Sequence, residues 1–324
     1  MSKDIKTYIK EELSIKLHEL EAYRKKLLNQ FIMLMIILTG ILIFIIYSLS
    51  ISDLSIGIGW IHICVGYGVG SYLIYNYIFN KNFRLKYKNT LITKAFHYFD
   101  PNITYDPKSF ISEESFKQSM IFQNRSWNRY SGEDLVKGTY NDIEFFISEI
   151  LAQYKTSGKN SSTTTIFDGL FLDAYLHQSI DGYLVLSFKK HGLGQIGDAF
   201  NSFLKGVFGM KEKLKEYNGI KDSDFNDTYS VYCNHSFIAD SILTPDFIDN
   251  VKKLWNNYKM PIVLSFVDDH FYIATPSKKN LFEASIRNSI LKLDHIEAEM
   301  NKYMDLIDTL KVLNINSAAK RVTS

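Results

Sequence analysis

Two apolar stretches without a charged residue, Phe31–Leu49 and Ile56–Phe79, follow one another with only Ser50–Ser55 between them. About 20 helical residues, rising 1.5 Å each, cross the hydrocarbon core of a bilayer, so each stretch is long enough to span it. A link this short leaves room for a tight hairpin only, with both outer ends on one side. Arg24, Lys25 and Lys26 precede the first stretch, and Lys81, Arg84, Lys86 and Lys88 follow the second. The link carries no Lys or Arg and one acid, Asp53. Positive residues beside span ends stay cytoplasmic, which predicts a multi-pass protein with both termini in the cytoplasm. Trp60 is placed to anchor the second stretch at the interface. The segment Lys81–Lys94 lacks acids and is expected to attract anionic lipid headgroups, at roughly 1 kcal/mol per charge near the surface.

A cleaved secretory signal is the competing reading of the first stretch. The long charged segment before it and the lack of a small-residue cleavage pattern oppose that reading. In the second stretch Gly66 and Gly70 have the GxxxG spacing that lets helices approach closely; packing of the hairpin on itself is expected, with dimerisation as the alternative. His62 and Cys64 lie in the same stretch, and with no second ionisable group in either span an ion path has little support.

The remainder of the 324 residues is long enough for one or two domains with a core. Net charge is +2, and acids and bases are interspersed outside the basic flanks, so no nucleic-acid surface is indicated. The two cysteines, Cys64 and Cys233, are no disulfide framework. An aromatic content of 15% with only five prolines argues for order. The richness in Ile, Lys, Asn and Tyr suits a bacterial source.

Ile5, Ile9, Leu13, Leu17 and Leu20 put one apolar stripe on a helix over Asp4–Lys26 that continues into the first span. Helices are predicted over Asn89–Phe99 and Ser112–Gln123. Leu135–Tyr140, Ile143–Tyr154, Thr163–His177 and Tyr183–Lys189 read as an antiparallel meander, although Ile143–Tyr154 alternates poorly and also suits a helix. Ile196–Phe208 reads as an amphipathic helix, Lys211–Asp227 as a charged connector and Tyr229–Cys233 as a short strand. Thr244-Pro245 opens a helix to about Tyr258, and Ile262–Val267 with His270–Ala274 forms a hairpin about Asp268-Asp269. A long helix is predicted from Ser285 to about Leu313, with a seam of Leu293, Ile296, Met300, Tyr303, Ile307 and Leu310 that packs along the domain or the N-terminal helix.

Five blocks then carry a resemblance: Tyr130-Ser131-Gly132-Glu133-Asp134-Leu135-Val136-Lys137-Gly138, Phe167-Asp168-Gly169-Leu170-Phe171, Leu243-Thr244-Pro245, Ser265-Phe266-Val267-Asp268 and Leu281-Phe282-Glu283-Ala284-Ser285-Ile286. In this order and spacing, across most of Asn89–Leu313 and behind paired N-terminal spans, they resemble the bacterial domain-of-unknown-function family 3137. Gly192–Lys221 corresponds least. The resemblance implies a two-span protein of the bacterial cytoplasmic (inner) membrane with a cytoplasmic α+β domain, and it implies no reaction. The motif residues read as structure: Gly132 and Gly138 as turn or close-approach positions, Thr244-Pro245 as a helix start, Phe282 as a core anchor. Glu133 and Asp134 beside Lys137 suit local turn hydrogen bonding, with a charged recognition point as the alternative.

Other candidate sites are each weighed against a structural role. Gly192-Leu193-Gly194-Gln195-Ile196-Gly197 matches GxGxxG, and Lys189, Lys190 and His191 would help to hold an anion. The surrounding strands read as antiparallel with no βαβ repeat, so a connector or a lipid-touching helix suits it better. Cys233 and His235 share a strand face, and a thiolate–imidazole pair would need Asp240 as its orienting acid; a buried Cys beside a surface His is the commoner arrangement. Asp268, Asp269 and His270 offer metal ligands in one turn, but contiguous residues rarely converge on one ion. In the looser set Asp168, Asp173 and His177, odd spacing sends the two acids to opposite strand faces. HExxH, CxxC, Walker and GxSxG patterns are absent.

The expected fold class is an α+β cytoplasmic domain with antiparallel strands, anchored by an N-terminal transmembrane helical hairpin. The parts expected are 1–26, an amphipathic cytoplasmic helix; 27–80, the hairpin; 81–284, the α+β domain, as one body or as two lobes, 89–190 and 222–284; and 285–324, a C-terminal amphipathic helix and tail. The expected function is a membrane-anchored interaction or scaffold protein, its surfaces supplied by the two end helices. The partners expected are a bilayer with anionic headgroups at the basic flanks and a protein partner or second copy, without nucleic acid. No catalytic, cofactor or metal residue is assigned. The alternative is a membrane-surface enzyme acting on lipid, nucleotide or protein through a non-contiguous site.

Overall fold

The computed structural model describes residues 5–51, 59–158, 161–189, 214–258, 261–277 and 280–323. By contacts the chain divides into two units, Met1–Tyr98 with Phe282–Glu297, and Phe99–Leu281 with Ala298–Ser324.

The first unit is helical: α1 (Ile5–Glu11), α2 (Ser14–Ile51), α3 (Gly59–Leu73), α4 (Lys81–Tyr87) and α5 (Thr93–Phe99), with π-helical stretches at Ile74–Asn80 and Lys88–Ile92. The helix expected at Asn89–Phe99 is therefore the end of one helical line running from Gly59. The N-terminal helix breaks once, at Glu12-Leu13, yet the predicted stripe holds. Ile5, Ile9, Leu13, Leu17 and Leu20 are all buried. Tyr8 stacks on Tyr98 at 3.8 Å, and Lys6 reaches Asp294 at 3.0 Å and Glu297 at 2.6 Å.

Helices α2 and α3 run antiparallel. Phe31 meets Tyr75 and Phe79 edge-on at 5.4 and 5.5 Å, and the Tyr67 hydroxyl lies 2.5 Å from Thr39 Oγ1. Tyrosines therefore make this contact. A Cβ added at Gly66, Gly68 or Gly70 would meet nothing within 4 Å, which overturns the expectation that the GxxxG face packs the helix pair on itself. Among the described residues one helix, Ser14–Leu49, is long and apolar enough to cross a membrane, with a mean hydropathy of 2.8 over its most apolar window and none of that window buried. The second apolar run is α-helical over Gly59–Leu73 before its π stretch, and residues 52–58, most of the link and the start of that run, lie outside the described residues.

The second unit is built on an antiparallel sheet: β1 (Thr104–Asp106), β2 (Arg129–Tyr140), β3 (Ile143–Lys155), β4 (Thr163–Tyr175), β5 (Tyr183–Phe188), β6 (Glu216–Tyr217), β7 (Tyr229–Cys233), β8 (Val263–Val267) and β9 (His270–Pro276). Their order is β1-β2-β3-β4-β9-β8-β5-β7-β6. Strands from 89–190 and from 222–284 thus share one sheet, with β5 between β8 and β7. The β2–β3 turn places Asn141 and Asp142 at φ of 45° and 64°, the left-handed pair that a tight hairpin favours. β3 alternates poorly because Ile147–Ile150 are buried on both faces; it is strand and not helix. At Gly169 a Cβ would sit 2.2 Å from the Thr275 carbonyl, so only glycine permits the β4–β9 approach.

Helices flank the sheet: α6 (Glu113–Gln118), α7 (Ser223–Thr228), α8 (Ser236–Ile242), α9 (Pro245–Tyr258), α10 (Asp294–Leu313) and α11 (Ile315–Thr323). The helix expected over Ser112–Gln123 ends early, because Met120 takes a φ of 59°. The expected connector Lys211–Asp227 contains β6 and α7, the latter capped by Asp222. Thr244 caps α9 by accepting from the Phe247 N–H at 3.3 Å. The last long helix starts at Asp294 and not at Ser285, for a reason that the first unit supplies. Phe116 centres one aromatic layer, with Phe122 at 4.7 Å, Phe171 at 5.1 Å and Trp127 at 5.3 Å. All six seam residues from Leu293 to Leu310 are buried.

Candidate functional site

In the first unit the block Phe282–Ile286 is a strap tied to two helices. Phe282, at φ 56° and wholly buried, stands edge-on to Phe96 at 5.9 Å. Glu283 pairs with Arg84 and, at 3.3 Å, with Lys88, itself 1% exposed. The Ser285 and Tyr75 hydroxyls lie 2.8 Å apart. The Ile286 N–H donates to Asn80 Oδ1 at 3.1 Å, and its carbonyl accepts from Arg24 Nη1 at 2.5 Å. Arg24 also forks onto Glu21 at 2.9 and 2.7 Å, and Glu21 Oε2 accepts from the Ile290 N–H at 3.2 Å. These donors and acceptors are spent on side chains, which is why 285–293 is not helix. Burial pushes the Glu21 carboxyl up, but the Arg24 guanidinium and the Ile290 N–H outweigh it and hold it below its ordinary value. Glu21 in turn raises Arg24. Of the basic flank residues, Arg24 and Lys88 are interior, whereas Lys25, Lys26, Lys81 and Lys86 are exposed.

In the second unit the register aligns Lys137, Phe146, Asp173 and Tyr272 in one row across β2, β3, β4 and β9. Directly opposed residues share a sheet face. Asp173 is the polar centre: Ser115 Oγ donates to its Oδ2 at 2.6 Å, and His270 Nδ1 lies 2.7 Å from its Oδ1. The imidazole is stacked on Tyr272 at 5.5 Å and meets Tyr175 edge-on at 5.1 Å. The hydrogen bond to Asp173 raises the His270 pKa against the opposing effect of burial. A recess of ≈ 290 Å³ opens beside this row, lined by Phe110, Ser115, Leu135, Lys137, Phe146 and Asp173 among others. In a hydrolytic triad the imidazole stands between hydroxyl and carboxylate. Here the carboxylate stands between, so His270 has no bond through which to take the Ser115 proton. The arrangement holds a geometry and does not activate a nucleophile.

The other sequence candidates do not assemble. Cys233 is buried and its thiol pushed up by that burial, the His235 ring stacks on Phe237 at 5.7 Å, and Asp240 accepts from the Tyr217 hydroxyl. Asp268 occupies the turn at φ 50°, Asp269 Oδ1 is 3.7 Å from His270 Nε2, and Nδ1 of His270 turns away to Asp173. Asp168, raised by burial, stays apart from Asp173, as the odd spacing predicts. Glu133 and Asp134 lie in a β2 bulge and not in a turn, where their carboxylates and that of Glu149 lie within 4.8 Å of one another. Such oxygens suit a hard cation by type, yet Asp134 already accepts from Tyr105 and Glu149 from the Leu281 N–H at 2.6 Å. Gly192–Gly197 lies outside the described residues. Sequence reading missed both the strap partners and the Asp173–His270 pair, which are remote along the chain. The available signal for the latter was an acid inside the apolar run Phe171–Tyr175.

The fold defines an antiparallel α+β protein that carries an N-terminal helix apolar enough to cross a membrane. Residues 165–313 match the family described as protein of unknown function (DUF3137), the family that the sequence blocks resemble. The match takes in every quoted block except Tyr130–Gly138. No curated protein matches the chain. Among solved structures, the crystal structure of the mycobacterial trehalose monomycolate transport factor A, TtfA, is similar at a TM-score of 0.34 and 9% identity, over 68% of this chain and 94% of that one. A likeness at that score carries no argument about this chain.

Proposed function

We propose that this chain is a membrane-anchored interaction protein of the bacterial inner membrane. The observation that carries the reading is the bare apolar surface of α2, where Met33, Ile36, Ile43 and Phe44 are each more than half exposed. In water such a continuous patch would drive aggregation; in a bilayer the acyl chains cover it. In this reading α3 and its π stretch form the second span, so that 27–80 is a hairpin with both termini in the cytoplasm. Lys25, Lys26, Lys81 and Lys86 then meet anionic headgroups at the hairpin base. The strap residues Glu283, Ser285 and Ile286 bond the two helices at that same base. Both end seams are buried within the chain, so neither supplies the partner surface; the sheet unit does, through a recess built for holding and not for bond making.

The test is alkaline carbonate extraction of membranes holding the full chain, with protease protection of tags at either end and crosslinking in cells. Retention in the membrane, both tags cut from the cytoplasmic face and a discrete crosslinked adduct are expected. Carbonate release, or tags cut from opposite faces, would refute the anchor; a chain that crosslinks to nothing would refute the interaction role.

A further inference from the structure

We propose that the recess between the 110–115 segment and strands β2–β4 binds a carboxylate on an apolar body, namely the C-terminal end of a partner chain that finishes in an apolar residue. Its volume of ≈ 290 Å³ lies at the lower edge of the roughly 300–1,000 Å³ usual for small-molecule sites, which limits the occupant to about one residue. Phe110, Leu135 and Phe146 supply an apolar wall. The charges decide the sign of the ligand. Asp173 is already engaged on both oxygens, by Ser115 and by the His270 ring, so it is not waiting for a cation. Lys137 stands over the Phe146 ring at 5.7 Å and forms no ion pair among the described residues. An unpaired ammonium at the edge of an apolar recess is the complement of a carboxylate, and capture of a chain terminus is an established way of recognising peptides. The partner's being a polypeptide rests on the interaction reading above; the carboxylate chemistry rests on the recess alone.

The test is titration calorimetry of the full chain in mild detergent with N-acetyl-leucine, N-acetyl-leucinamide and free leucine. N-acetyl-leucine is expected to bind, the amide at least tenfold more weakly. Lys137→Gln is expected to weaken N-acetyl-leucine at least tenfold, and Lys155→Gln, at the far end of β3, to leave it unchanged. Both lysines are exposed, so neither variant threatens folding. Equal binding of acid and amide, an unchanged Lys137→Gln variant, or no binding of N-acetyl-leucine at millimolar concentration would overturn the proposal. Free leucine that binds tighter than its acetyl form would overturn the chain-end assignment, because its ammonium would then be the group that Asp173 attracts. Carbonate extraction does not involve the recess, so the anchor and this site fail separately.

Discussion

Glu21→Ala tests whether the strap is held by a buried ion pair. The side chains of Arg24 and Glu21 are 7% and 6% exposed, and the fork between them is bidentate. Removing the carboxylate leaves the guanidinium with the Ile286 carbonyl as its remaining acceptor and takes the acceptor from the Ile290 N–H. Breaking a buried pair from one side costs ~3–5 kcal/mol, a large part of the ~5–15 kcal/mol that holds a domain. Glu21→Leu with Arg24→Met removes both charges and orphans only the two backbone groups, at ~1–3 kcal/mol each. The double variant should therefore lose much less than the sum of its two single variants. Denaturant unfolding of the full chain in detergent reads the total, and amide exchange at Ile286 and Ile290 reads the strap. The pH sign is determined by the depressed Glu21 pKa. Its contribution is complete above the unfolded carboxyl value of about 4.3 and is lost as pH falls through the lower folded value. A Glu21→Ala variant within ~1 kcal/mol of the parent, the level of an exposed pair, or a strictly additive double variant, would refute the argument.

Two further outcomes follow from the sheet. Gly169→Ala places a Cβ 2.2 Å from the Thr275 carbonyl at the pairing that joins β1–β4 to the remaining strands. Overpacking of this kind costs ~1–3 kcal/mol, read as a lower unfolding midpoint; an unchanged midpoint would contradict the close approach. His270 has a raised pKa, so its contribution is present below the unfolded value of about 6.5 and is lost as pH rises through the folded value. Asp173→Asn should bring the His270 titration down in an NMR series and flatten that pH dependence. A His270 titration identical in both proteins would show that Asp173 is not the cause.

Much of the secondary structure was legible because its signals are local. The apolar stripe from Ile5 to Leu20, the Thr244 cap, and the Asp268-Asp269 turn between the short apolar runs of β8 and β9 each depend on neighbours within a few residues. The errors share one cause. Ser285–Leu293 carries a helical pattern, but its backbone groups are taken by Glu21, Arg24 and Asn80. The Gly66–Gly70 spacing suggests a packing face, but Tyr67 and Tyr75 make the contact on another side of the helix. β3 lacks alternation because both of its faces are covered, which no window along the chain can reveal.

The candidate sites divide in the same way. Composition and order along the chain are enough to set the apolar stretches, the charge bias at their ends, the antiparallel class of the sheet and the family resemblance, since each is a property of residues close in sequence. Which side chains meet was decided by register and by long loops: Asp173 finds His270 only because β4 pairs with β9, and Glu283 finds Arg84 and Lys88 only because the chain returns from the sheet to the helices. Side-chain chemistry is written locally, but the free energy of a buried charge depends on which distant partner the fold brings to it.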